Sequence, residues 1–202
     1  MKSSLPFPAC PIFCLPLLTL LVLAQAPNLS AQSAPDRFWV DSGQSIPGFG
    51  DTRQRLDLIG IGSRWEIPIR DYSSRTGPLG LHHHALWLEP GLRFMLPGAD
   101  NHAHKGIAFA ECSFLGAFVF GPSDEPAFFI TIGGGPTWLF GEVSGMGSDL
   151  NGHYQLGAGW RGLRFLGKDG EVQLRYHHVS NLGRAKPNDP LNSLQLRLSW
   201  PF

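Results

Sequence analysis

The sequence predicts an all-β protein, an eight-stranded antiparallel up-and-down outer-membrane β-barrel. Three observations predict it. Short segments rich in Ile, Leu, Phe, Trp and Gly recur, separated by clusters of Gly, Pro, Asn and Asp, while helix-period patterns are scarce. An apolar N-terminal stretch behind Lys2 has the build of an export leader. The last segment, "SLQLRLSWPF", alternates strictly between apolar and polar residues and stops on an aromatic one.

Composition narrows the class. The 202 residues carry zero formal net charge, which argues against nucleic acid as the main partner, because such proteins carry a basic excess. Charged residues make up only 16%, below the usual quarter of a soluble domain. Behind Lys2, "CPIFCLPLLTLLVLAQA" (Cys10 to Ala26) is short for a membrane helix and is interrupted by Pro11 and Pro16. Small-residue exits such as Ala31-Gln32-Ser33 place cleavage between residues 26 and 34. Residues 1–33 are therefore read as a signal peptide and 34–202 as the barrel domain. A retained N-terminal anchor is the alternative. Without the leader, Cys112 is the only cysteine, so no internal disulfide is available.

Eight segments read as strands: 37–48, 55–69, 81–96, 105–121, 126–143, 152–166, 170–181 and 191–202. The first is the weakest, since "VDSGQSIPGFG" reads equally well as an irregular lead-in. "PGADNHAHK" and "GPSDEP" are polar, turn-rich links, and "GKDG" (Gly167 to Gly170) is short enough for a tight hairpin. An even strand count fits an up-and-down barrel.

Alternation then assigns faces. In the last segment Leu194, Leu196, Leu198, Trp200 and Phe202 oppose Gln195, Arg197 and Ser199. A soluble barrel turns its apolar face inward, and an outer-membrane barrel turns it outward around a polar lumen. Periodicity alone leaves both open. The leader, the terminal Phe202 and the absence of disulfides favour the membrane version, with a soluble periplasmic barrel as the alternative. In the sixth segment Tyr154, Leu156, Ala158 and Trp160 alternate with His153, Gln155, Gly157, Gly159 and Arg161, and glycines beside polar groups suit a crowded lumen. The fourth, "IAFAECSFLGAFVF", is apolar on both faces and does not reveal which is inside.

The seventh segment carries the chemistry. In "RYHHVSN" (Arg175 to Asn181), His178 and Ser180 share a face with Val172, Leu174 and Tyr176, so in a membrane barrel they face lipid at the strand's end. Same-face neighbours lie about 6.5–7 Å apart along a strand, within reach of one another given suitable rotamers. A histidine accepting the serine proton makes a nucleophile for acyl transfer. A polar rim pair without chemistry is the plainer reading of a lone His-x-Ser.

The longer string "HVSNLGRAKPNDPLNSLQLRLSWPF" resembles the C-terminal motif of the PagL-type lipid A 3-O-deacylases and the wider acyloxyacyl hydrolase group. His178, Ser180, Asn181, Gly183, Pro187 and Asn188 match it. "RLDLIGIGSRW", "FFITIGGGPTWLF" and "YQLGAGWRGLRF" resemble the family's other strands more loosely. The resemblance implies an outer-membrane barrel acting on an ester-linked acyl chain of lipid A, with no metal or cofactor. It implies Ser180 as nucleophile, His178 as general base, and Asn181 with the Gly183 N–H as oxyanion donors. The third catalytic position, a Glu in the deacylases, is Asn192 here. An amide can hold an imidazole tautomer but cannot stabilise imidazolium as a carboxylate does. A catalytically weak or inactive barrel with a structural or lipid-binding role is thus the rival expectation. Leu182 replaces the usual Ala, and Pro190 stands where Gly is common. A homodimer is left open.

Other features are weaker. His82, His83 and His84, with His102 and His104, read as a rim or loop cluster, because adjacent strand residues alternate faces and cannot all share an ion. His177 falls on the lumen face as a packed polar group. Gly133 to Gly135 has no helix behind it and reads as close packing in the wall. The six tryptophans are read as interfacial belts with some packing residues among them.

Overall fold

The computed structural model describes residues 34–46, 56–71, 80–96, 107–121, 126–141, 143, 145–165 and 167–202. The leader reading, His102 and His104 lie outside them. Eight strands follow in order: β1 Arg37–Ser45, β2 Asp57–Asp71, β3 Leu81–Leu96, β4 Ile107–Phe120, β5 Ala127–Phe140, β6 Leu150–Phe165, β7 Lys168–Ser180 and β8 Leu191–Pro201. Each pairs antiparallel with its neighbour in sequence, and β1 pairs with β8 to close the barrel. The segment read as weakest is thus the one that completes closure. β6 and β7 stay paired down to Phe165↔Lys168, with Gly167 at φ 78° in the connection, so the hairpin turns earlier than "GKDG" suggests.

The polarity is inverted relative to a soluble barrel. Leu174 is 53% exposed and Leu196 52%, whereas their strand neighbours Arg175 and Arg197 are buried. Ile59, Ile61, Ile132, Leu156 and Trp160 extend the same outer band. Such a surface is unfavourable in water and suited to lipid. Near the termini, Phe38 stacks on Trp200 and Phe128 packs against Trp160, which builds an aromatic girdle.

The lumen is filled in three layers. At the end bearing residues 181–190, Leu56, Leu58, Met95, Phe109, Leu139, Val179 and Leu191 form an apolar plug. At the other end Trp87, Leu115, Ala117, Val119, Ala127 and Phe129 form a second. Charged groups fill the middle. Glu89 accepts from Arg64 Nε at 2.8 Å, Arg175 Nη1 at 2.8 Å and Arg197 Nη1 at 2.6 Å. Asp41 accepts from Arg93 Nη1 and Arg197 Nη2, each at 2.7 Å. Away from water, carboxylates and guanidinium groups tolerate burial only through such mutual pairing.

This layering explains why β4 is unreadable by alternation. Its inward residues run Phe109, Glu111, Ser113, Leu115, Ala117 and Val119, so the strand crosses both plugs and contributes only two polar groups between them. Two tryptophans are interior packing residues. Arg197 lies 3.6 Å over the Trp39 ring and Arg64 3.6 Å over the Trp87 ring. Gly62 and Gly91 make room for Trp39: a methyl group at either would come within 3.0 Å of its ring. In β5, Gly133, Gly134 and Gly135 each bring a neighbouring carbonyl into the space a Cβ would take, as close wall packing requires.

Candidate active site on the outer wall

β6, β7 and β8 place the candidate residues side by side. His178 is the direct cross-strand partner of Tyr154 on one side and of Asn192 on the other. Ser180 is paired with Gly152, where the Leu182 side chain lies 3.6 Å from the place a Cβ would take. All lie on the outward face shared with Leu174, Leu194 and Leu196. By strand parity the site belongs to the outer side of the barrel wall, across from the lumen.

His178 Nδ1 donates to Asn192 Oδ1 at 2.7 Å. That bond puts the proton on Nδ1 and leaves the Nε2 lone pair available to a hydroxyl. The Tyr176 hydroxyl donates to the same Asn192 oxygen at 2.5 Å. Tyr154 stacks on the imidazole with centroids 4.4 Å apart and planes inclined by 25°, which fixes the ring orientation. Asn192 is 1% exposed and Ser180 7%, although strand parity turns both outward. Among the described residues no hydrogen bond joins Ser180 Oγ to His178, and such contacts are commonly loose before substrate binds.

Residues 181–190 organise the rim. Arg184 N–H donates to Asn181 O at 3.1 Å, while Leu182 at φ 57° and Gly183 at φ 75° occupy the two central positions. Two positive φ angles in succession define a type I′ turn, which ordinarily calls for Gly or Asn. Leu182 holds that conformation 59% exposed, its side chain near Gly152 and thus beside the serine's cross-strand position. The Asn181 amide Nδ2 donates to Ala185 O at 3.0 Å and Pro187 O at 3.3 Å, and Asn181 Oδ1 accepts from Gly183 N–H at 3.0 Å. The two donors assigned to an oxyanion are therefore engaged within their own loop. Gly147 N–H to Pro187 O and Asp189 N–H to Gly145 O, at 2.8 and 2.7 Å, tie this loop to the β5–β6 connection. An open groove of about 660 Å³ lies along Gly183, Ala185, Lys186, Pro187, Asn188 and Asp189.

The remaining candidates fall elsewhere. His84 stacks on outward Phe118 near the rim at the termini, with centroids 4.6 Å apart. Glu111, His153 and His177 gather in the lumen with ligand-capable atoms within 4.8 Å of one another. Their lone pairs and protons are mostly taken. His153 bonds Ser113 at 2.9 Å and Thr137 at 2.7 Å, and His177 Nε2 meets Glu111 at 3.1 Å, leaving His177 Nδ1 unmatched. Arg93 Nε already holds Glu111 Oε1 at 2.8 Å, so its positive charge opposes a further cation there. His177 is a packed interior group. Tyr176 is the member of the outer constellation that sequence reasoning left among the apolar residues. Its position two residues before His178 on the same face is the signal that marks it.

A closed barrel that is apolar outside and charged inside has the build of a membrane β-barrel. The family model described as Lipid A 3-O-deacylase (PagL) matches residues 70–201, and the chain belongs to that family. The solved structure described as the crystal structure of the outer membrane enzyme PagL shares the fold. It has a TM-score of 0.61 and 22% identity, over 81% of this chain and 99% of that one. No curated protein matches.

Proposed function

We propose that the protein is an outer-membrane serine esterase that removes an ester-linked acyl chain from lipid A, after export and loss of residues 1–33. The observation that carries this reading is the 2.7 Å bond from His178 Nδ1 to Asn192, made on the lipid-facing wall beside Ser180. It holds the imidazole in the tautomer that a serine nucleophile needs.

In this reading the acyl chains lie along the outer band and the sugar headgroup lies in the groove beside Gly183 and Lys186. Ser180 Oγ attacks the ester carbonyl as His178 Nε2 takes its proton. The tetrahedral oxyanion is met by the Gly183 N–H, which exchanges Asn181 Oδ1 for the substrate oxygen, and by the Asn181 amide once it releases Ala185 O and Pro187 O. Collapse breaks the bond to the sugar oxygen, which leaves with the proton from His178. Water, deprotonated by His178, then releases the fatty acid from Ser180. Every step uses groups of this chain and water.

Asn192 itself favours a second reading, a barrel of the same fold with little or no turnover and a lipid-binding role. An amide keeps the tautomer but gives imidazolium no opposite charge. Mass spectrometry of lipid A from cells expressing the wild type, Ser180→Ala or Asn192→Glu separates the two. Loss of one acyl chain with the wild type and none with Ser180→Ala supports the esterase. Unaltered lipid A with the wild type, where Asn192→Glu is active, supports the second reading.

A further inference from the structure

We propose that Tyr176 is a positioning residue whose hydroxyl locks the Asn192 amide with its oxygen toward His178, and so sets the imidazole tautomer. The inference rests on the esterase reading for its catalytic consequence, but the tautomer is measurable without turnover.

A carboxylate presents an oxygen to its neighbours whichever way it turns. An amide does not. Rotated by half a turn, Asn192 would present its NH2 group to His178 Nδ1, and only an unprotonated Nδ1 can accept from it. The imidazole proton would then move to Nε2, which removes the lone pair that takes the Ser180 proton in the esterase reading. The substitution of Asn for Glu therefore introduces a binary choice that the family's usual residue never meets.

Tyr176 biases that choice. Asn192 Oδ1 accepts from both Tyr176 Oη at 2.5 Å and His178 Nδ1 at 2.7 Å, which uses both oxygen lone pairs. Rotation of the amide would break both bonds as they stand: the Tyr176 hydroxyl would have to turn its proton to another acceptor and take an amide N–H instead, and His178 Nδ1 would have to lose its proton. Asn192 is 1% exposed, so water does not ease that exchange. The tyrosine is set up for the task. It stands directly opposite Leu194, so Asn192 is its diagonal neighbour across β7 and β8, a separation that long aromatic side chains span. Its ring lies 5.9 Å from that of Tyr154, which in turn stacks on His178.

The test uses the full-length barrel in lipid nanodiscs, labelled with 15N at histidine, with the His178 signal assigned by its loss in His178→Ala. The wild type is expected to carry its proton on Nδ1. Tyr176→Phe is expected to show a mixed or Nε2–H state. Tyr176→Phe with Asn192→Asp is expected to return to Nδ1–H, because a carboxylate has no wrong orientation. In acyl-ester hydrolysis, Tyr176→Phe should lower kcat roughly five- to tenfold with little change in KM, the size of one neutral hydrogen bond. The same change in the Asn192→Asp background should cost less than about twofold. A wild-type His178 protonated on Nε2 overturns the proposal directly, even if no variant folds. An unchanged tautomer in Tyr176→Phe, or an equal activity loss in both backgrounds, also overturns it. Absence of hydrolysis in every protein with the expected tautomers would reject the esterase and leave the positioning role standing.

Discussion

His178 and Asn192 are direct cross-strand partners of β7 and β8, joined by a 2.7 Å hydrogen bond from the imidazole Nδ1 to the amide oxygen. Fourteen residues of sequence separate them, yet the register places them face to face on the outer wall. The bond supplies orientation without charge. Asn192→Glu restores a carboxylate at the position and is expected to raise kcat by one or more orders of magnitude, against a reference of about 10⁴ for the converse change in a serine protease. Asn192→Ala, which removes both orientation and acceptor, is expected to fall below the wild type. Initial rates of acyl-chain release from lipid A in mixed micelles check the ranking. An Asn192→Glu enzyme no faster than the wild type would mean that the missing charge does not limit the reaction.

The interior carries stability more than chemistry. Glu89 compensates Arg64, Arg175 and Arg197 at once, all of them buried. Glu89→Gln removes the carboxylate paired with Arg175 and leaves Arg64 to Glu171 and Arg197 to Asp41 alone, and is expected to cost about 3–5 kcal/mol. Urea unfolding in lipid vesicles, followed by tryptophan fluorescence, measures it. A loss below about 1 kcal/mol would show that the network rearranges around the gap.

Trp39 tests the packing of the same layer. Gly62 and Gly91 leave the space its ring fills, and Arg197 lies on that ring. Gly91→Ala is expected to destabilise the barrel by about 1–3 kcal/mol through overpacking. Trp39→Leu should recover much of that loss in the double variant, because the smaller side chain vacates the contested space. Additive losses in the same unfolding assay would place the strain elsewhere.

The outer wall was legible in the sequence because alternation is strict where one face meets lipid and the other meets charge. The strands β6, β7 and β8 satisfy that condition, and their parity placed His178, Ser180 and Asn192 together. β4 does not satisfy it, because apolar plugs close both ends of the lumen and make its inward residues resemble its outward ones. Trp39 and Trp87 were unreadable for a related reason: an aromatic ring beneath an arginine in a charged interior has the same local pattern as one at an interface. The loop geometry was also out of reach. Nothing in "SNLGRAKPND" specifies that Asn181 spends its amide on Ala185 and Pro187, or that Leu182 takes a left-handed conformation. Tyr176 shared the right face but was hidden by its resemblance to a lipid-facing aromatic, since a hydroxyl partner across the strands is a tertiary fact.

The central claim is that Ser180 is a nucleophile presented to the membrane. A fluorophosphonate carrying a long acyl chain, incorporated in nanodiscs with the full-length protein, tests it most directly. The reagent should phosphonylate Ser180 in the wild type, identified by the mass of the modified peptide, and the Ser180→Ala and His178→Ala proteins should stay unlabelled. A short, water-soluble fluorophosphonate at equal bulk concentration should label far more slowly. Failure of the acylated reagent to label Ser180 in both the wild type and Asn192→Glu, or faster labelling by the soluble reagent, would contradict a lipid-facing serine esterase.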